Sequence, residues 1–374
     1  MDILYLVIGC FALLGAFDCI IGNRLGIGRE FERGIMLLGT MTLTMVGMIT
    51  LAPLFAELLR TPLAWLAERL PFEPSLIAGS LLANDMGGAP LAMELASNER
   101  VGLFNGLVVG ATMGATVSFT LPFALGVTEK RQQKGVLIGI LCGIVAIPVG
   151  CLFSGFMMGL TAYELAVNII PLLLFAGLLA FGLIKAPEKT VAIFRVFAGV
   201  IKVMIMVGLA VAIFAFLTDI ELLPHTAPLE EGMLVVFNAA TVMAGMFPLI
   251  SLVSRLLRRP LRALGGKIGI NEVSALGFVT TLATNVTTFG MMKDMDDRGV
   301  ILNSAFAVSA AFTFAGHLAY TLAFQPPKGG ECLGAVIVGK LVAGVAALII
   351  AYLLFCRKKN TAAQPTDPAE TPAA

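Results

Sequence analysis

Leu82-Ala83-Asn84-Asp85-Met86-Gly87-Gly88 sets an ionisable side chain and two adjacent glycines inside an apolar stretch, with the next carboxylates, Glu73 and Glu94, at either end. An ionised acid in hydrocarbon costs at least ~2.5 kcal/mol, so an acid retained there reads as a functional site. A carboxylate at membrane depth beside flexible backbone suits a cation. The competing reading is an Asp tied to neighbouring backbone at a helix break.

The surroundings establish the membrane. Of 374 residues, 58% are hydrophobic and 13% charged, against about 25% charged in soluble domains. Apolar runs recur along the chain, each long enough to cross ~30 Å of hydrocarbon as a helix. Segment 3–21 follows Met1-Asp2 with no basic residue before it, so it reads as a retained helix rather than a signal peptide. The six cysteines lack metal-type spacing and read as packing residues. A net charge of +1 carries no nucleic-acid signal.

Predicted spans are 3–22, 34–56, 101–127, 134–158, 163–184, 196–217, 231–254, 300–324 and 332–356. Segments 75–95 and 271–293 are apolar but interrupted, the second by Thr284-Asn285-Val286-Thr287-Thr288-Phe289-Gly290. Lys and Arg number three in 23–33, three in 128–134, three in 185–195, five in 255–267, two in 293–298 and three in 357–359, and four in all the other connections. All the basic connections share one face if both interrupted segments enter and leave on the same side. This predicts nine crossings, N-terminus outside and C-terminus cytoplasmic. Two broken helices that cross fully are the alternative.

The chain also repeats itself. Glu32-Arg33-Gly34 recurs as Glu230-Glu231-Gly232 and Asn105 as Asn303, both at an offset of 198, and Leu82-Ala83-Asn84-Asp85 recurs as Leu282-Ala283-Thr284-Asn285 at 200. The predicted fold is an all-α polytopic membrane protein of about nine to eleven transmembrane helices in an inverted repeat with two re-entrant or broken helical segments. Residues 1–158 form the first repeat, 159–190 a connector helix, 191–356 the second repeat and 357–374 a disordered cytoplasmic tail. A substrate site is expected near the midplane, with Asp85 opposite Asn285.

An enzyme reading has little to work with: two histidines, His225 and His317, and no hydrolase, P-loop or metalloprotease signature. No cofactor or metal is implied. Asn84, Asn285, Thr284, Thr287 and Thr288 offer donors and acceptors for a small substrate bearing a hydroxyl as well as a charge, or repair backbone freed at a helix break. Asn303, Ser309 and Thr313 share a span with His317, a candidate proton carrier or cavity-lining group. Asp18 reads as an interfacial or Arg-paired acid, and Lys340 as a cation that snorkels or pairs with an acid. Gly106-x-x-x-Gly110-x-x-x-Gly114 and Gly135-x-x-x-Gly139-x-x-x-Gly143 are close-packing faces, compatible with a homodimer.

Several of these segments resemble the EutH family, the ethanolamine permeases of bacterial ethanolamine-utilisation operons. The likeness rests on Leu282-Ala283-Thr284-Asn285, Phe289-Gly290-Met291-Met292-Lys293, Asp297-Arg298-Gly299, Asn303-Ser304-Ala305-Phe306 and the Asp85 segment. It implies passage of ethanolamine across the cytoplasmic (inner) membrane, feeding its breakdown by a cobalamin-dependent lyase. Two positions depart from the family pattern: Gly316 stands where an Asp is usual, and Asn84 where a Cys is usual. The mechanism expected is an ammonium at Asp85, its hydroxyl at Asn84 and Asn285, and a path lined by Thr284, Thr287, Thr288, Asn303 and Ser309. The alternative is a Na⁺- or proton-coupled carrier of another small polar or cationic substrate.

Overall fold

The computed structural model describes residues 3–69, 71–325 and 327–356. The tail expected over 357–374 lies outside the described residues. All the regular structure described is helical, as it must be where no water satisfies the backbone. In chain order the helices are α1 (Ile3–Ile20), α2 (Gly28–Met41 continued through a wide π turn into Gly47–Ala67), α3 (Ser75–Leu81), α4 (Gly88–Leu95), α5 (Glu99–Val127), α6 (Lys130–Met157), α7 (Ala162–Lys185), α8 (Pro187–Thr218), α9 (Leu229–Ile268), α10 (Glu272–Ala283), α11 (Asn285–Met291), α12 (Asp297–Ala310), α13 (Gly316–Ala323) and α14 (Lys328–Cys356). Eight of them are long and apolar enough to cross a membrane. Leu174, Leu178 and Phe181 of α7 and Val203 and Leu217 of α8 are exposed, as helices facing hydrocarbon require.

Four predicted elements differ, one of them the span expected over 196–217, which begins at Pro187. The span expected over 34–56 begins at Gly28 and runs on to Ala67, through Pro53 and Pro62. The connection expected over 255–267 is helical, a continuation of α9. The span expected over 300–324 is broken: after Ala310 the chain unwinds, Phe312 takes a left-handed φ of 60°, and helix resumes at Gly316. A left-handed non-glycine residue costs roughly 1–3 kcal/mol. Two tertiary hydrogen bonds hold this break, Phe312 N to Thr281 O at 3.1 Å and Phe314 N to Leu282 O at 3.0 Å.

Both interrupted segments are hairpins whose ends are tied together. Glu73, before α3, accepts from Ser97 N at 2.9 Å and Ser97 Oγ at 2.8 Å, just beyond α4. Asn271, capping α10, donates from its backbone to Asp296 at 2.9 Å and from its side chain to Asp294 O at 2.9 Å. At the first tip the chain runs extended through Leu82 and Ala83, makes one tight turn over Asn84–Met86, and reverses at Gly87, whose φ of 96° and contact with Met48 exclude a side chain.

Hydrogen bonds sort the connections onto two faces. On one, Arg255 donates to Leu25 O at 2.6 Å and Gly26 O at 2.8 Å, Arg131 to Lys293 O at 3.0 Å, and Arg298 to Ile268 O and Cys356 O at 2.9 and 3.1 Å. On the other, Asn98 meets Glu164 at 2.9 Å, Arg100 meets Gly159 O at 2.8 Å, and Lys328 pairs with Glu99 at 2.8 Å. The first face carries the basic connections at 23–33, 128–134 and 293–298 and the start of 255–267.

Asp18, at the end of the first span, meets backbone rather than an Arg among the described residues. It is fully buried and accepts backbone N–H groups of Leu25, Ile27 and Gly28 at 2.7–2.8 Å, capping the turn from α1 into α2. Three donors aimed at one carboxylate lose their acceptor together. Asp18→Ala is therefore expected to cost on the order of 2–4 kcal/mol, read as a fall of several degrees in the detergent Tm.

Candidate substrate site

A cavity of about 670 Å³ lies between the two hairpin tips. Its wall is made by Ala83, Asp85 and Met86 of the first tip, Ala283, Thr284 and Thr287 of the second, and Phe312, Ala315, Gly316 and His317 at the break before α13. Thr40, Met41 and Thr44 of α2, Ala115 and Phe119 of α5, and Met243 and Phe247 of α9 complete it. It runs to Glu30, Arg33, Ser251 and Ser254, towards the basic face, and no lining residue belongs to the connections of the opposite face. Glu30 and Arg33 pair with each other at 3.5 Å at this mouth. Asp85 is thus the carboxylate at the deep end.

The short turn over Asn84–Met86 decides what faces the cavity. Asp85 is half-buried and lines it, whereas Asn84 is fully buried against Gly110 of α5, with neither amide atom hydrogen-bonded within the chain. The tip is fixed by Ser118 Oγ, which accepts Ala83 N at 3.2 Å. The glycine face of α5 allows this approach: a Cβ at Gly114 would lie 1.9 Å from Leu82 O, and one at Gly106 2.8 Å from Ala89.

Behind the wall sits a buried lysine. Lys340, in the middle of α14, is 1% exposed, donates to Ala111 O at 2.5 Å, and lies 3.0 Å from His317 Nδ1. Asp85 and Lys340 are within electrostatic reach of each other, and the buried Tyr320 hydroxyl, which has no hydrogen-bond partner, is within reach of Asp85. Thr112 and Cys151 close the far side of this cluster, 3.6 Å apart. The arrangement is a carboxylate and an imidazole on the cavity wall with a buried lysine behind them, and it can hold a small organic cation.

The family description "Ethanolamine utilisation protein, EutH" matches residues 1–354. The chain belongs to the EutH family. It is 41% identical to the probable ethanolamine permease EutH of Listeria monocytogenes over 97% of both chains. It is 37% identical to that of Salmonella typhimurium, covering 92% of this chain and 89% of the relative. The uncharacterized protein YxeR of Bacillus subtilis is 34% identical over 92% of each. No solved structure matches. A EutH family member is a multi-pass permease, not an enzyme, consistent with the eight long apolar helices.

In this EutH protein the candidate residues divide. Asp85, Thr284, Thr287 and His317 meet on the cavity wall. Asn285 is buried behind the second tip, bonded to Thr120 at 3.1 Å with its carbonyl oxygen unpartnered. Thr288 bonds Thr280 and Thr281 at 2.8 and 2.9 Å, bracing the two arms of its hairpin. Asn303 donates to Ser274 O at 2.9 Å and Gly299 O at 3.0 Å, pinning α10 to α12 away from the cavity. Ser309 is buried with an unpartnered hydroxyl. Lys340 does not snorkel. Its position in the middle of the 29-residue apolar helix α14 carries the signal that singles out Asp85, an ionisable group in hydrocarbon.

Proposed function

We propose that this chain carries ethanolamine across the bacterial cytoplasmic membrane as the ammonium ion, with Asp85 as its counter-ion. The observation that carries this is the placing of Asp85 at the deep end of a cavity that reaches one face. Thr284 and Thr287, on the wall opposite, are assigned the substrate hydroxyl in preference to Asn84 and Asn285, which lie behind the tips. A charge-assisted hydrogen bond contributes roughly 1.5–3 kcal/mol, enough for selective binding and weak enough for release. Saturable uptake of labelled ethanolamine into proteoliposomes holding the purified protein tests the reading. A folded protein that gives none overturns it.

The two hairpins are read as re-entrant halves of an inverted repeat, residues 1–158 and 191–356, with α7 as connector. The offset of 198 found in the sequence supports this. Gly79 packs on Asn105 of α5 and Gly277 packs on Asn303 of α12, and each Asn reaches back to the arm that packs on it, Asn105 to Ser75 and Asn303 to Ser274. The basic face is assigned to the cytoplasm, which puts the N-terminus outside and opens the cavity inward. Ser97→Cys is then expected to react with a membrane-impermeant maleimide in intact cells, and Asp294→Cys only after lysis. The reverse pattern inverts the topology. The glycine faces offer no dimer surface, because α3 and α4 cover the one on α5, and Ile301, Ser304 and Val308 of α12 cover the one on α6.

A further inference from the structure

Charge balance in the buried cluster leads beyond the amine site. The groups facing Lys340 are His317 from α13, Asp85 from the first tip, Cys151 from α6, and Ala111 O from α5, with Tyr320 beyond Asp85. Asp85 alone among them is an acid of carboxylate strength. One carboxylate neutralises one cation, so a protonated Lys340 and a bound ammonium together leave an unbalanced charge on or beside the buried Lys340. Lys340 does not line the cavity, but His317 does, and its Nδ1 lies 3.0 Å from the Lys340 nitrogen.

We propose that Lys340 and His317 form a proton-exchange site, and that an ammonium bound at Asp85 expels the Lys340 proton through His317 into the cavity. The inference rests on the reading of Asp85 as the ammonium site. An N–H bond of the Lys340 ammonium breaks, the His317 Nδ1 lone pair receives the proton, and the imidazole passes one proton to cavity water. Lys340 stays as a neutral amine whose remaining N–H still reaches Ala111 O. Nothing is oxidised or reduced. When the site opens outward, binding of the organic cation releases the proton there, and unloading of the cation inside takes a proton up, so the cycle moves no net charge.

The test is calorimetric titration of the solubilised full chain with ethanolamine, in pairs of buffers that differ in ionisation heat, between about pH 5.5 and 7.5. Proton release of about one per amine is expected, with Kd falling up to tenfold per pH unit. Lys340→Met is expected to bind without release and without pH dependence. Gly316→Asp, at a wall position where a Cβ meets nothing within 4 Å, adds a second carboxylate and is expected to suppress release while tightening binding. Binding by the wild type with no proton exchanged overturns the proposal. So does equal release by Lys340→Met, because the proton then comes from the amine itself. Absence of any binding strikes instead at the ethanolamine reading beneath it.

Discussion

Asp85→Asn is expected to lower kcat/KM for ethanolamine uptake about 100-fold while leaving the protein folded. One charge-assisted contact is worth roughly 1.5–3 kcal/mol, and each 1.36 kcal/mol is a factor of ten, so losing the contact alone spans about 10- to 150-fold. The fold is insensitive by comparison, because Asp85 faces the cavity whereas the tip is held by Ser118, Gly87 and the backbone of Ala83. Uptake assayed in proteoliposomes at matched protein content checks this. A mutant that saturates with KM within threefold of the wild type would remove Asp85 from the site. A neutral substrate of similar size separates charge from shape, since its residual uptake should differ little between the two proteins.

What the sequence reveals depends on which physical term decides each feature. Membrane class, most span positions and the two interrupted segments follow from solvation, because polar residues in an apolar run must find protein or water. Four of the six basic connections, 23–33, 128–134, 255–267 and 293–298, share the face that hydrogen bonds define. Features decided by tertiary contact stay hidden. Nothing local in Ala310-Ala311-Phe312-Thr313-Phe314-Ala315 announces a break, since it has no Pro and no Gly; carbonyls of Thr281 and Leu282, some thirty residues earlier, capture its backbone donors. Five basic residues in 255–267 read as a connection, but charge does not preclude helix, so the continuation of α9 is missed. Composition cannot separate Asp85 from Asn84, because one turn of 3₁₀ geometry sends one to the cavity and the other to Gly110. Lys340 is the instructive omission. Its charge is as anomalous as that of Asp85, but a long flexible side chain leaves snorkelling open, and packing against Ala111 and His317 removes that option.

Substitutions along the glycines of α5 should then grade with how closely the first hairpin approaches. At Gly126 an added Cβ meets nothing within 4 Å, at Gly110 it would lie 3.1 Å from the Asn84 backbone, and at Gly114 1.9 Å from Leu82 O and 2.6 Å from Gly79 O. Gly126→Ala is expected to be neutral or stabilising by up to about 1 kcal/mol, the helix-propensity difference. Gly110→Ala requires Asn84 to yield by a few tenths of an ångström and should cost a few-fold in uptake. Gly114→Ala has no such remedy: its obstacles are main-chain carbonyls, and relief requires the extended segment entering the tip to move bodily. Overpacking a core costs about 1–3 kcal/mol when side chains can give, and here the backbone must. The expected result is a Tm loss of several degrees and a fall in uptake of at least tenfold, because the displaced segment carries Asp85. Uptake and Tm measured across the three variants separate this from a general dislike of methyl groups in α5. Equal effects at Gly126 and Gly114 would mean that the hairpin does not rest on this face, and with it would go the positioning of Asp85 argued from the glycines.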